Sequence, residues 1–327
     1  MKKYFRAFFL ELTGVSLVVL IIILLFTGDR FFTPGTIPPV LLNINTIFLS
    51  ILLEAIPFIL LGAFASSLIQ LFISEKFLRK LLPKHPIAAL VPAALVGALI
   101  PVCECAIIPV VRRLIQKGMP LHLGVVILST APILNPIVAA STYFAFQSNH
   151  IILYGRMGVA FVCAIVIGAV IYLIFRSSDQ LKPSSHHHSH DHSHTHSVSF
   201  TGVLRHAGEE FFDMGRYLII GSLIASLFST LLDRSVLESV GGHSFLAPAV
   251  MMAFAYFLSL CSEADAFVAA TFGTTFTYGS IIAFLVYGPI LDLKNTVMMF
   301  AYFKTRFVLA FLVVVTVIVY GTIIILQ

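Results

Sequence analysis

The chain has 327 residues, 59% hydrophobic and 11% charged, whereas soluble domains carry about 25% charged residues, so a water-soluble globular protein is excluded. The apolar residues come in runs of roughly 20, the length that crosses a bilayer core as a helix. Runs such as Val15 to Phe26 or Ile151 to Phe175 do not alternate, which excludes a transmembrane barrel, and the formal charge of +5 reports orientation, since cytoplasmic loops of membrane proteins collect Lys and Arg.

Met1-Lys2-Lys3 leads into an apolar stretch over about 8–26. The stretch is long and lacks an A-x-A cleavage site, so it predicts a retained helix rather than a signal peptide. Further apolar segments cover about 44–73, 87–111, 121–146, 150–175, 211–232, 245–275, 279–303 and 307–326. Between the fifth and sixth segments of the whole series runs a polar stretch, Arg176 to Arg205, centred on His186, His187, His188, His190, His192, His194 and His196. Low complexity without apolar content predicts disorder there. The organisation is therefore an N-terminal extra helix and loop over 1–42, a first membrane repeat over 43–175, the His-rich loop over 176–205 and a second repeat over 206–327. The fold class is an all-α polytopic membrane protein with about 7 to 9 transmembrane segments.

The halves match weakly and in the same order. Glu54 to Gly62 aligns with Asp213 to Gly221, Cys103-Glu104-Cys105 with Cys261-Ser262-Glu263, and Pro132 to Asn135 with Pro289 to Asp292, at offsets of 159, 158 and 157. Segment 87–111 decides the topology. As a full span it sends Arg112, Arg113, Lys117, Arg176, Lys182 and Arg205 outside. As a re-entrant hairpin broken at Pro101 to Cys105 it keeps them inside with Lys2, Lys3, Arg6, Lys76, Arg79, Lys80, Lys84, Lys304 and Arg306. The positive-inside rule favours the hairpin. Each half then has three spans and one hairpin, and the odd number inverts the second half, a recurrent plan of secondary transporters. On this topology the N-terminus and the His-rich loop are cytoplasmic.

Glu54, Glu104, Asp213, Glu263, Asp265, Asp292 and Lys294 lie inside apolar segments, with Glu209 and Glu210 near an interface. Such groups cost about 2.5–3.5 kcal/mol each at a helix centre and face a cavity or a partner. On a purely structural reading Asp292 neutralises Lys294, and Asp213 pairs with Arg216 one turn away. The strongest constellation is Pro101-Val102-Cys103-Glu104-Cys105-Ala106-Ile107-Ile108-Pro109. Two thiols bracket a carboxylate, and a proline at each end predicts a helix break that frees main-chain carbonyls. Thiolates select Cu(I) and Zn(II), and a carboxylate adds a hard ligand and a proton acceptor. The matched stretch Cys261-Ser262-Glu263-Ala264-Asp265 supplies one thiol, one hydroxyl and two carboxylates. Cys163, in a plain apolar helix, reads as a small hydrophobe. Asn135, between Pro132 and Pro136, is expected to unwind its span and turn its amide to the pathway, with Asp292 as its counterpart. The His-rich loop reads as a metal-capture segment, since imidazole clusters bind Zn(II), Cu(II) and Ni(II).

Cys103-Glu104-Cys105-Ala106-Ile107-Ile108-Pro109, followed by Arg112-Arg113, Lys117-Gly118 and Ala131 to Pro136, resembles the YraQ-type predicted permease family, which includes the organoarsenical permease ArsP. Ser259 to Phe267 resembles that family's other signature. The resemblance covers nearly the whole chain apart from the His-rich loop. It implies a bacterial inner-membrane efflux permease with Cys103, Cys105 and Cys261 as substrate contacts. The Cys-Glu-Cys form and the His loop resemble the copper- and zinc-exporting branch more than the organoarsenical one.

No phosphate-binding G-x-x-x-x-G-K-[ST] loop and no H-E-x-x-H or G-x-S-x-G constellation occurs, so neither ATP-driven pumping by this chain alone nor an enzyme is expected. The expected function is export of a soft or borderline metal ion, Zn, Cu or Cd, coupled to protons through the intramembrane carboxylates. Its site comprises Cys103, Glu104, Cys105, Cys261, Glu263 and Asp265, and Glu54, Asn135, Asp213 and Asp292 are pathway residues. The metal enters as substrate and no cofactor is required. The bilayer and the metal ion or metalloid are the partners, and no nucleic acid is. Two alternatives stand beside this reading: efflux of a trivalent organoarsenical or other thiophilic metalloid, and a membrane metal sensor or assembly factor that transports nothing.

Overall fold

The computed structural model describes residues 38–72, 85–100, 102–147, 149–176, 180–182, 200–231 and 245–326. The apolar stretch at 8–26, Pro101 and the His-rich loop lie outside the described residues. The first half opens with a long helix α1 (Pro39–Phe72), followed by a short α2 (Leu90–Leu99) and α3 (Glu104–Gln116). Between α2 and α3 the chain is extended at Ile100 (ψ 107°) and Cys103 (ψ 166°). Ile100 precedes a proline, which disfavours helical backbone there. Pro109 does not end α3: the helix runs through it, so the break falls only on the N-terminal side of the Cys-Glu-Cys stretch. α3 closes on a Schellman turn, with Gly118 at φ 96° and the Met119 and Gly118 amides each 3.0 Å from the carbonyls of Leu114 and Ile115.

α4 (Leu121–Leu134) and α5 (Pro136–Ala145) form one interrupted span. Pro136 starts α5, where a missing N–H costs nothing, and forces Asn135 into extended backbone. α6 (His150–Phe175) completes the half. The same order then recurs: a long α7 (Phe200–Leu231), a short α8 (Leu246–Leu258), a break, α9 (Asp265–Ala270), an interrupted pair α10 (Tyr278–Ile290) and α11 (Leu293–Tyr302), and a final α12 (Thr305–Leu326). Among the described residues, each half contributes three helices long and apolar enough to cross a membrane, plus one shorter apolar helix, α2 or α8. An odd number of crossings turns the second half over.

The re-entrant course of α2 and α3 is visible in one buried cluster. Glu210, early in α7, accepts a hydrogen bond from Ser66 late in α1 at 2.8 Å and lies 3.5 Å from Arg113 in the last turn of α3. The C-terminal ends of α1 and α3 therefore reach the same end of the protein, so α2 and α3 together return to the side from which they came. The same end gathers other basic groups. Arg112 stacks over the Tyr302 ring at 4.5 Å, Lys182 donates to the Phe300 carbonyl at 2.6 Å, and Gln180 to Lys182 pairs with Tyr302 to Lys304 through a Leu181–Phe303 bridge.

The two interrupted helices make the interior. Their membrane-length windows are 72% and 83% buried, against 28–39% for the other four. Those four present Leu61, Tyr154, Leu231 and Val317 outward, apolar faces suited to lipid. Two glycines that match in the repeat set the closest approaches. A Cβ at Gly62 would sit 2.7 Å from the Ala106 Cβ and 2.8 Å from its Cα, and one at Gly221 would sit 2.9 Å from the Lys294 Cα. α1 thus presses on α3, and α7 presses on α11. Gly62→Val is expected to destabilise the protein by about 1–3 kcal/mol, because backbone stands in the way and cannot rotate aside. Gly158→Ala, where a Cβ meets nothing within 4 Å, is the control expected to leave thermal unfolding in detergent unchanged or slightly raised.

Candidate functional site

The helix breaks converge on one ammonium. Lys294, in the first turn of α11, is 1% exposed. Its Nζ lies 3.0 Å from Glu104 Oε1 and 3.0 Å from Asp292 Oδ2, and donates to the Ser259 carbonyl at 2.8 Å. Glu104 is the first residue of α3, where a carboxylate also complements the helix N-terminus. Ser259 ends α8 in the left-handed region at φ 49°, a conformation that costs a non-glycine residue about 1–2 kcal/mol. Its side chain offsets part of that cost by accepting from the Leu293 amide at 3.2 Å, one of the unpaired donors at the start of α11. One lysine therefore ties the first-half break, the second-half break and the interruption between α10 and α11.

The thiols lie in the same neighbourhood. Cys103 caps α3 without a side-chain cap bond, and Cys105 follows in the first turn of that helix. Cys261 lies two residues beyond Ser259, whose carbonyl is bonded to Lys294, the partner of Glu104. All three thiols are buried and reduced. Cys163 is apart from them, fully buried with its Sγ 3.6 Å from the Thr322 hydroxyl, in keeping with a packing role.

Glu263 and Asp265 diverge. Asp265 is buried and opens α9, where Arg156 holds it at 3.0 Å, while Glu263 is half-buried in the preceding turn. Asn135 and Asp292 play the same local part, each side chain accepting from the amide three residues on, Val138 at 2.9 Å and Asn295 at 2.6 Å. The Asn135 amide group also donates to the Ala131 carbonyl at 3.0 Å. Both ends of that side chain thus bind the interrupted helix itself, where the sequence predicts an amide turned to the pathway. Glu54 is half-buried on α1. Asp213 pairs with Arg216 at 2.8 Å, both part-exposed and away from the breaks. The histidines between 186 and 196 lie outside the described residues. Among the described residues, no three His, Cys, Asp or Glu side chains are gathered to hold a metal ion.

Sequence reasoning passed over Arg156, Thr142, Ser259 and Asn295. Arg156 is fully buried in α6. It donates to Thr142 Oγ1 at 2.8 Å, to the Ser262 carbonyl at 3.1 Å and to Asp265 at 3.0 Å. An arginine inside a 26-residue apolar helix is itself a signal of a partner. The hydroxyls and the amide carry no such signal, because single polar residues are common in spans.

The sequence model of a family described as "Predicted permease", ArsP_1, matches residues 40–327. The chain is 48% identical over 278 residues to UPF0718 protein YcgR of Bacillus subtilis, covering 85% of this chain and 95% of that one. It is 38% identical over 278 residues to a Streptococcus mutans protein provisionally named as a two-component membrane permease complex subunit, covering 84% and 92%. No solved structure matches the chain.

Lys294→Met is expected to cost about 3–5 kcal/mol of stability, since it leaves Glu104 and Asp292 buried without their counter-ion. Adding Glu104→Gln and Asp292→Asn to that variant is expected to recover most of the loss. Thermal unfolding of the single and triple variants in the same detergent makes the comparison.

Proposed function

The chain belongs to the ArsP_1 family of predicted permeases, and on that premise we propose that it exports a soft or borderline metal ion: Zn, Cu or Cd. The observation that carries this reading is the convergence of the two helix breaks on Lys294, with Cys103, Cys105 and Cys261 beside them. Thiols supply the soft ligands, and Glu104, Glu263 and Asp265 supply hard ones. Lys294 already holds a positive charge between Glu104 and Asp292. An arriving metal ion competes with that ammonium for the same carboxylates. Protonation of the acids on the outer side then lowers metal affinity, giving metal/proton antiport without a resident cofactor.

The end that gathers Arg112, Arg113, Lys182 and Lys304 faces the cytoplasm of a bacterial inner membrane by the positive-inside rule. The N-terminus lies on that side, as does the loop of His186, His187, His188, His190, His192, His194 and His196, which captures metal for the pathway. Glu54, Asn135, Asp213 and Asp292 belong to the route. The provisional name of the Streptococcus mutans relative supports a second membrane subunit as partner.

One observation favours a second reading, efflux of a trivalent organoarsenical or another thiophilic metalloid. The helix breaks bring Cys103, Cys105 and Cys261 near one another through the Lys294 contacts with Glu104 and Ser259, and a trivalent arsenical asks for thiols alone. Deleting 184–196 separates the readings, because it changes metal resistance under the first and leaves arsenical resistance intact under the second. In everted vesicles, an acid interior is expected to drive uptake of labelled Zn(II), and Cys103→Ser with Cys105→Ser to abolish it. Uptake that persists in the double variant refutes the site, and no flux of any metal or arsenical in the parent protein indicates a sensor or assembly factor.

A further inference from the structure

The main chain around Cys261 is gripped on both sides by buried cations. The Ser259 carbonyl accepts from Lys294 at 2.8 Å and the Ser262 carbonyl from Arg156 at 3.1 Å. Only Leu260 and Cys261 lie between. Both cations are fully enclosed, and both are anchored outside the segment they grip. Lys294 is fixed by Glu104 of the first half and Asp292 of the second. Arg156, itself in the first half, is fixed by Thr142 on α5 and by Asp265 at the start of α9.

The segment's other ties gather at its first residue, where the Ser259 amide donates to the Ala255 carbonyl and its hydroxyl accepts from the Leu293 amide, both at 3.2 Å. It leaves α8 through the left-handed Ser259 and resumes helix only at Asp265. The Cys261 carbonyl is used by the Ala264 and Asp265 amides at 3.0 and 2.9 Å, while the flanking carbonyls of Ser259 and Ser262 take their donors from the two cations. The first-half break is built differently. There the Cys103 carbonyl accepts the Ala106 and Ile107 amides at 3.2 and 3.1 Å, as the Cys261 carbonyl accepts those of Ala264 and Asp265, but no cation grips the flanking carbonyls among the described contacts.

We propose that Arg156 is a positioning residue that fixes Cys261 relative to Cys103, holding the second-half thiol in place from the first half of the protein. This rests on reading Cys261 as a cargo contact. Ligand thiols must be held within a fraction of an ångström to act together. The planar guanidinium of Arg156 holds a hydroxyl, a carbonyl and a carboxylate in one rigid fork, a geometry that the shorter-reaching, point-like ammonium of a lysine at position 156 does not reproduce.

Single-thiol variants test it. Cys103→Ser, Cys105→Ser and Cys163→Ser leave Cys261 alone, and Cys105→Ser, Cys163→Ser and Cys261→Ser leave Cys103 alone. Alkylation by N-ethylmaleimide is timed in native membranes. With Arg156→Gln, the Cys261 rate is expected to rise by about tenfold and the Cys103 rate to stay within about twofold, with Arg156→Lys intermediate. An unchanged Cys261 rate, or equal acceleration of both thiols, overturns the proposal. Thr142→Val removes one partner of the guanidinium without altering charge, and repeats the comparison where Arg156→Gln does not accumulate. The rates are measured without cargo, so they are independent of the cargo reading, which is scored separately by protection of Cys261 with Zn(II).

Discussion

The ammonium of Lys294 is the constraint on which the rest of the arrangement depends. A lysine and two carboxylates with no solvent exposure above 2% are each expensive alone, and the interior tolerates them because they meet at 3.0 Å. Buried pairs of this kind add little net stability but are costly to break. The consequence is geometric. Glu104 is reached from 190 residues away, so the start of α3, the end of α8 and the start of α11 are fixed by one atom. The close approach of α7 to the Lys294 backbone at Gly221 keeps that atom in place.

The scaffold repeats, and the chemistry does not. Asn135 and Asp292 cap the second parts of the two interrupted helices in the same way. Two residues on, however, the first half has Ile137, which is 55% exposed, and the second has Lys294, which is buried. Arg156 occupies α6, and its grip falls on the second-half break. Both cations therefore donate to the main chain around Cys261, while the Cys103 segment is tied to Lys294 only through the Glu104 side chain. An approximate two-fold scaffold thus carries one thiol segment clamped at its main chain and one tied through a neighbouring side chain.

The pattern has a meaning for transport. Alternating access moves one repeat against the other around a central site, and the contacts that must change are those that join the halves. Beside the apolar packing of α1 on α7 and of α4 on α10, several of these are charged: Glu104 with Lys294, Arg156 with Asp265 and the Ser262 carbonyl, and Arg113 with Glu210 at one end. Charged contacts of this kind can be exchanged for cargo or water without exposing apolar core, whereas the interdigitated aliphatic packing of α4 and α10 cannot.

By itself the sequence determined the class of protein, the spans and the places where helices fail. Apolar run length, proline chemistry and charge cost act locally and leave marks that can be read residue by residue. The hairpin at 87–111, the interruption at Asn135 and the Asp213–Arg216 pair were all legible in that way, with Asp292 marked only as the counterpart of Asn135. Pro109 was misread as a helix end, because a proline in an apolar helix is tolerated when neighbouring groups take up the freed carbonyl. Partner choice belonged to the tertiary structure alone. Lys294 has Asp292 two positions away, which sufficed to predict a local pair, but its bond to Glu104 and the hold of Arg156 on Ser262 and Asp265 join residues more than a hundred positions apart. No local preference encodes such a contact, and only the packing of the two halves decides which buried charge meets which.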